Sequence, residues 1–411
     1  MDSDHNPLHI FFFPFLAHGH IIPIVDMAKL FAAKGIKATI ITTPLNVPLI
    51  SKAIGIQKTE TCFNKIHVHP IKFPSVKVGL PEGCENVDSL PSPQSFPIFF
   101  KATRVLQQPL EQLLLEQHPD CLIADPFHTW VTDSAAKLGI PRIVFQGVSV
   151  FTLCSLDCIK LYEPHHRVSS DSEYFVINNL PVNSFYELEQ VYADYYKDVL
   201  KRKAWHIGPM FLSNAKEKAE RGNEVCLDES EWLKWLDTKE TNSVVYVCFG
   251  TLTNFPDSQL REIAMGLEAS GNQFMWVHQA IGAFVTRCGW NSILEAVTAW
   301  VPMVTMPVAA EQFFNEKLVT EVLKIGVSVG GRKWVRLVGD STKWDELEEA
   351  VKRIMTGEED IEMRNRAKVL SQIAMQAVQE GGSSYSQFSV IEIWSQIFVQ
   401  GVLTRNSSTL S

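Results

Sequence analysis

Two short stretches carry side chains that could move a proton. "AHGHIIP" (residues 17–23) and "LIADPF" (residues 122–127) each stand at the end of an apolar run. Open α/β sheets bind their ligands at the carboxyl ends of strands. His18 or His20 could therefore act as a base there, provided that an acid fixes the ring's tautomer, and Asp125 is placed to be that acid. Taken singly, each has a plainer reading: the histidines as a polar turn, and Asp125 as a cap or turn residue before Pro126. A second group suits an anionic sugar donor. In "TRCGWNSILEAV" (286–297) Asn291 and Ser292 open a helix after a strand, so backbone N–H groups there could bind phosphate. Glu295 lies one turn on, where it could accept ribose hydroxyls. In "PVAAEQFFNEKL" (307–318) Glu311 and Gln312 open the next helix and could bind sugar hydroxyls. Again the plainer readings are a helix cap with an exposed acid, and first-turn residues that complement a helix dipole.

Other chemistries are excluded by inspection. No GxGxxG follows a strand and no GxxxxGK[ST] loop is present. "GVSVF" at Gly147 lacks the second glycine of the hydrolase elbow. The only DxD is Asp2 with Asp4, so no carboxylate-held metal is expected at a diphosphate, and no HExxH or paired Cys/His set points to zinc. A cofactor is not expected. The formal charge of −9 gives no basic footprint for nucleic acid or anionic lipid. The eight cysteines include no CxxC pair. The acidic start lacks a secretory lead, and no apolar run reaches the ~18 residues of a membrane span. A cytoplasmic protein, monomeric and without a membrane span, is expected.

The elements that must hold these residues alternate. "HIFFFPF" (9–15) reads as a buried strand, "IPIVDMAKLFAAKG" as a helix stopped by Gly35, and "IKATIITT" (36–43) as a second strand. Strand, helix and strand recur from 120 to 147, so the first half is doubly wound. After a charged stretch around 210–242, order resumes with "SVVYVCFGT". A helix follows with Leu260, Ile263, Ala264 and Leu267 on one face, then the strand "VPMVTMPV", and then a helix whose Phe314, Leu318, Val322 and Ile325 share a face. The expected division is an acceptor-binding domain at 1–210, a linker at 211–242, a donor-binding domain at 243–395 whose last helix packs back on the first, and a disordered tail at 396–411. The fold class is α/β, with two Rossmann-like doubly wound domains facing a cleft.

Together and in this order, these pieces resemble the plant family 1 UDP-glycosyltransferases, of the GT-B fold, over nearly the whole chain. "GAFVTRCGWNSILEAVTAWVPMVTMPVAAEQFFNEKLV" is similar to the later part of that family's carboxyl-terminal signature box. "FPFLAHGHIIPIVDMAKLF" is similar to its amino-terminal start in the branch acting on triterpenoids, flavonoids and phenolics. The resemblance implies an inverting, UDP-glucose-dependent O-glycosyltransferase of small lipophilic plant metabolites. It implies His20 as base with Asp125 orienting it; Trp290, Asn291 and Ser292 on the diphosphate; Glu295 on the ribose; and Glu311 with Gln312 on the sugar. Arg287 stands where the family has a histidine that contacts the diphosphate, and guanidinium pairs with phosphate too. Trp300 replaces a glycine and Met306 a tryptophan.

One stretch departs from that pattern. In "FMWVHQAIGAFVTRCGWNS" (274–292) one strand ends at Val277 and the next begins near Gly282. Parallel neighbours ordinarily need a crossover of a dozen or more residues. The resemblance implies a loop, helix, strand and uracil-stacking tryptophan between Val277 and His278, absent here, and a second shortened segment near 178–189. The second domain is thus expected to lack one strand and its crossover. The alternative to an active transferase is an inactive, truncated relative that cannot bind UDP properly.

Overall fold

The computed structural model describes residues 8–55, 65–162, 184–199, 204–213, 234–250, 255–274, 281–330, 342–357 and 359–389. These form two compact units, one drawn from Met1–Gly147, Met210–Glu224 and Ser386–Ser411, the other from Val148–Pro209 and Val225–Tyr385. By this division the described residues between 148 and 209 fall with the second sheet. Much of the stretch expected as a linker, and the expected tail, lie outside the described residues.

The first unit is built on five parallel strands: β1 (His9–Phe13), β2 (Lys37–Thr42), β3 (Ile66–Pro70), β4 (Cys121–Ala124) and β5 (Arg142–Val144), in the order β3-β2-β1-β4-β5. Ile10, Phe11, Phe12 and Phe13 are wholly buried, because a strand covered by helices on both faces has no solvent side. Helix α1 (His18–Ala33) returns the chain from β1 to β2, and Gly35 (φ 89°) ends it in the left-handed region. Helices α2 (Val47–Ile54), α3 (Phe96–Val105), α4 (Gln107–Gln117) and α5 (Val131–Lys137) complete the layers. Beyond Tyr385 the chain rejoins this unit, where the Phe388 ring lies 4.8 Å from that of Phe31.

The second unit opens with α6 (Val150–Tyr162) and has its own parallel sheet. Its strands are β6 (Val244–Cys248), β7 (Gln273–Phe274), β8 (Ile281–Thr286), β9 (Met303–Thr305) and β10 (Gly326–Ser328), in the order β10-β9-β8-β6-β7. Around them run α7 (Asp257–Ala269), α8 (Trp290–Thr298), α9 (Gln312–Lys317), α10 (Trp344–Thr356) and α11 (Asp360–Ala377).

The sheet order answers the puzzle of the short connection. β7 and β8 are not neighbours: both run parallel to β6, one on each side. β7 is two residues long, and it ends level with the start of β8, since Phe274 pairs with Val245 and Ile281 with Val244. The chain therefore need not travel back along a strand. It has only to cross two strand spacings, about 10 Å, and the seven steps from Phe274 to Ile281 can reach roughly 23 Å. The junction itself, Val277 with His278, lies outside the described residues.

Two helix faces differ from the sequence pattern. In α7, Gln259, Ile263, Gly266 and Leu267 are buried, while Leu260 is 45% exposed and Ala264 also faces solvent. Gly266 sets this face, because a Cβ there would stand 2.6 Å from the Trp344 carbonyl and 3.0 Å from Leu347 Cβ, so α10 crosses at the glycine. After α9 the chain widens into a π-turn, Leu318–Val322. The wider turn rotates the face, burying Val319 and leaving Val322 44% exposed.

Candidate active site

In each sheet the strand order reverses beside its first strand, between β1 and β4 and between β6 and β8. At such a point two crossovers depart to opposite sides and leave a crevice at the strands' carboxyl ends. Both groups of chemically capable residues stand at these ends.

In the first unit, Ala17 is the N-cap of α1, and His18 and His20 lie in its first turn rather than in a free turn. Asp125 follows β4 directly and is tied to β1, its N–H donating to the Phe13 carbonyl at 3.1 Å. His20 Nδ1 lies 2.6 Å from Asp125 Oδ2, while the other oxygen, Oδ1, accepts from Phe127 N–H at 3.0 Å. Asp125 is 1% exposed and His20 26%. A carboxylate only accepts, so Nδ1 carries the ring proton and Nε2 is left with a lone pair. That is the tautomer of a base. The ring of Phe15 meets His20 edge-on at 5.4 Å, and Phe127 tilts against it at 5.5 Å. Phe127 is itself half exposed, so an apolar surface borders the imidazole. His18 takes no part in the pair. Its amide donates to Asp88, and burial lowers its pKa while the Asp88 charge opposes the shift.

Two supports of Asp125 have no signal in the local sequence pattern. Arg142, at the start of β5, donates from Nη2 to the carbonyls of Asp125 (3.1 Å) and His128 (3.3 Å), and from Nη1 to Thr132 Oγ1. Arg142 opens a strand that is only partly buried, in "PRIVF", and nothing in the spacing there marks it. His128 is wholly buried, stacked 4.3 Å from Phe13, and donates from Nε2 to the Pro14 carbonyl at 3.1 Å. Burial lowers its pKa to about 4.

In the second unit Gly289 is the N-cap of α8, so the helix opens at Trp290 rather than at Asn291. The Trp290 side chain is buried, and what it can offer a ligand is its backbone N–H. Asn291 and Ser292 are half-buried, and Glu295 is exposed one turn on. The turn before the helix is tightly held. Cys288 is in the left-handed region (φ 63°); its N–H donates to Thr286 Oγ1 at 3.2 Å, and its carbonyl accepts from Asn315 Nδ2 at 2.9 Å. Asn315, fully buried in α9, also accepts from Thr152 Oγ1 of α6 at 3.0 Å. Arg287 is buried at the end of β8, with its guanidinium so close over Gly250 that a Cβ there would stand 2.3 Å from Nη2. Glu311 is the N-cap of α9, and Gln312 uses Oε1 to accept from the N–H groups of Val308 (2.9 Å) and Ala309 (3.0 Å). Its Nε2 can then donate to a hydroxyl. Neither Asn315 nor Arg142 is singled out by the sequence pattern, since each acts through distant backbone.

The family described as UDP-glucoronosyl and UDP-glucosyl transferase matches residues 277–373. Scopoletin glucosyltransferase of Nicotiana tabacum is 46% identical, over 93% of this chain and 97% of its own. The chain belongs to the UDP-glycosyltransferases. UDP-glucose flavonoid 3-O-glucosyltransferase 7 of Fragaria ananassa is 44% identical over 93% of this chain and 95% of its own. The crystal structure of Glycyrrhiza uralensis UGT73P12 complexed with glycyrrhetinic acid 3-O-monoglucuronide superposes with a TM-score of 0.89 at 32% identity, covering 98% of this chain and 99% of that one. This is the GT-B fold. The first of these alignments runs over 463 residues, more than the 411 of this glycosyltransferase, so the relative carries segments that this chain lacks. No helix among the described residues is long and apolar enough to cross a membrane.

Proposed function

We propose that this glycosyltransferase moves glucose from UDP-glucose to a hydroxyl of a small lipophilic plant metabolite, inverting the anomeric centre. The hydrogen bond of His20 Nδ1 to Asp125, 2.6 Å long, carries the reading. His20 Nε2 takes the acceptor hydroxyl's proton as that oxygen attacks the anomeric carbon, UDP departs from the opposite face, and Asp125 stabilises the imidazolium. Arg287 and the N–H groups of Trp290, Asn291 and Ser292 hold the diphosphate. Glu295 holds the ribose, and Glu311 with Gln312 the sugar. The positive end of α8 and the Arg287 guanidinium supply the charge that the diphosphate needs, so no metal or other cofactor is called for. The relatives named for scopoletin and flavonoids, and the one complexed with glycyrrhetinic acid 3-O-monoglucuronide, support a small lipophilic acceptor, and the phenyl rings beside His20 suit it. Cys84, Cys121, Cys154, Cys248 and Cys288 are free thiols, which supports a cytoplasmic compartment. We take the working form to be a monomer.

Titration calorimetry with UDP, followed by transfer from UDP-glucose to phenolic acceptors, tests the reading. Micromolar UDP binding is expected. His20→Ala should lower kcat by roughly 10² to 10⁴ while leaving UDP affinity unchanged. Undiminished transfer by that variant would overturn the role of His20. The shorter chain favours a second reading, an inactive relative, since its match to the longer transferase spans more residues than it possesses. A folded chain without UDP affinity would decide for that reading.

A further inference from the structure

Helix α1 begins without a side-chain cap of its own. Its N-cap is Ala17, extended at φ −143° and ψ 142°, and its first turn holds no acidic residue. The first helical amide is one that a helix leaves without an internal partner. It finds one far away, as His18 N–H donates to Asp88 Oδ2 at 2.9 Å, across 70 positions of sequence.

Asp88 is held in turn. Beside it, Val87 N–H donates to the Leu16 carbonyl at 2.8 Å. Its own N–H donates to Asn86 Oδ1 at 2.9 Å, and Asn86 Nδ2 donates to Asn46 Oδ1 at 2.8 Å. Asn46 is buried just beyond β2 and donates to Thr43 Oγ1 at 2.8 Å and to the Glu85 carbonyl at 3.1 Å. The segments that follow β1 and β2 are thereby clamped to the loop 85–89. His20 sits in the turn so capped, its N–H donating to the Ala17 carbonyl at 3.0 Å. Its partner Asp125 is anchored on the opposite side, to β1 and to Phe127 N–H. Two rigid mounts therefore meet at the imidazole. If the first turn of α1 frays, only one of them moves.

We infer that Asp88 is a positioning residue for His20, its carboxylate fixing the first turn of α1 so that the imidazole keeps its hydrogen bond to Asp125. This rests on the reading of His20 as the base. A cap that merely stabilised the unit would not act on one ring in particular, and that difference is measurable. Asparagine can accept the same amide bond through Oδ1, whereas alanine cannot.

The experiment uses the full chain labelled with ¹⁵N-histidine and long-range ¹H–¹⁵N spectra, with His20→Gln assigning the His20 signals. The wild type and Asp88→Asn are expected to show His20 as the Nδ1–H tautomer. Asp88→Ala is expected to show mixed tautomers at His20, with His9 and His128 unchanged. An unaltered His20 pattern in Asp88→Ala, or an equal change at all three histidines, would overturn the inference. If Asp88→Ala does not fold, Asn86→Ala is read in the same way, and an unaltered His20 there overturns it. In the transfer assay Asp88→Ala should lower kcat about tenfold with KM for UDP-glucose nearly constant, and Asp88→Asn should restore most of it. A wild-type chain that transfers nothing counts against the glycosyltransferase reading alone, because the spectra still decide Asp88.

Discussion

At the scale of single residues, the first unit keeps a carboxylate almost out of water and surrounds it with donors. Asp125 accepts from His20 and Phe127, and Arg142 holds the carbonyl of the same residue. Behind it His128 is buried in neutral form, which has a consequence for pH. Its pKa in the folded chain is about 4, against 6.5 ordinarily. Between these values the unfolded chain binds a proton that the folded one refuses, so stability is full above about pH 6.5 and is lost as pH falls to about 4. For a wholly buried ring the loss amounts to about 3 kcal/mol. His9 is shifted to about 4 as well, chiefly by burial, and adds to the same trend. His128→Phe keeps the stack on Phe13 but removes one titration. It is expected to lower stability at pH 7 by about 1 kcal/mol through the lost bond to Pro14, and to flatten the fall in Tm between pH 6.5 and 4.5. Thermal unfolding followed by circular dichroism at several pH values is the check, and equal slopes for the two proteins would sink the assignment.

At the scale of elements, the entry of β8 into its sheet depends on one glycine. Val244 pairs with Ile281 but Val245 pairs with Ala283, so Gly282 bulges out of the ladder. A Cβ on Gly282 would stand 2.2 Å from the Asn242 carbonyl oxygen, and the Gly282 carbonyl accepts from Arg364 Nη1 at 2.8 Å. In Gly282→Ala the Met355 side chain can move aside but the Asn242 backbone cannot, and a loss of about 2 to 3 kcal/mol in urea unfolding is expected. A loss below ~0.5 kcal/mol would mean that the bulge relaxes freely. The strands are legible in the sequence because sheets buried on both faces read as unbroken apolar runs, such as "HIFFF". Helix faces are less so. Gly266 decides which side of α7 is buried without adding to any apolar count, and the π-turn after α9 shifts a face that regular helical spacing puts at Val322. Within the site, His20 and Asp125 stand out as polar residues ending apolar runs. Asp88, Arg142, His128 and Asn315 do not, because each acts on backbone that folding brings to it from far along the chain, and no local spacing records that.

At the scale of the whole molecule, the second sheet has no described counterpart of β3 and has β10 in addition. The first runs β3-β2-β1-β4-β5; in the second, β7-β6-β8-β9 matches the run β2-β1-β4-β5, and nothing among the described residues lies outside β7. One more strand after β7 in sequence, placed beside it at the edge, would extend the match to all five strands of the first sheet and leave β10 as an additional strand at the other edge. The Nicotiana relative has residues to spare for such a segment, and the family match in this chain begins at residue 277, at the junction itself. The resemblance puts a base-stacking tryptophan in that segment, and stacking on an aromatic ring is worth about 1 to 3 kcal/mol per base at nucleic-acid sites. Inserting a segment of the relatives' length between Val277 and His278 is therefore expected to tighten UDP binding roughly 5- to 150-fold. It should also raise Tm, since it would cover the open side of β7. Calorimetry on both chains gives the affinities, and scanning calorimetry gives Tm. Equal affinity in both would mean that the diphosphate contacts at Arg287 and α8 hold the nucleotide by themselves, and that the shorter sheet is a sufficient donor site.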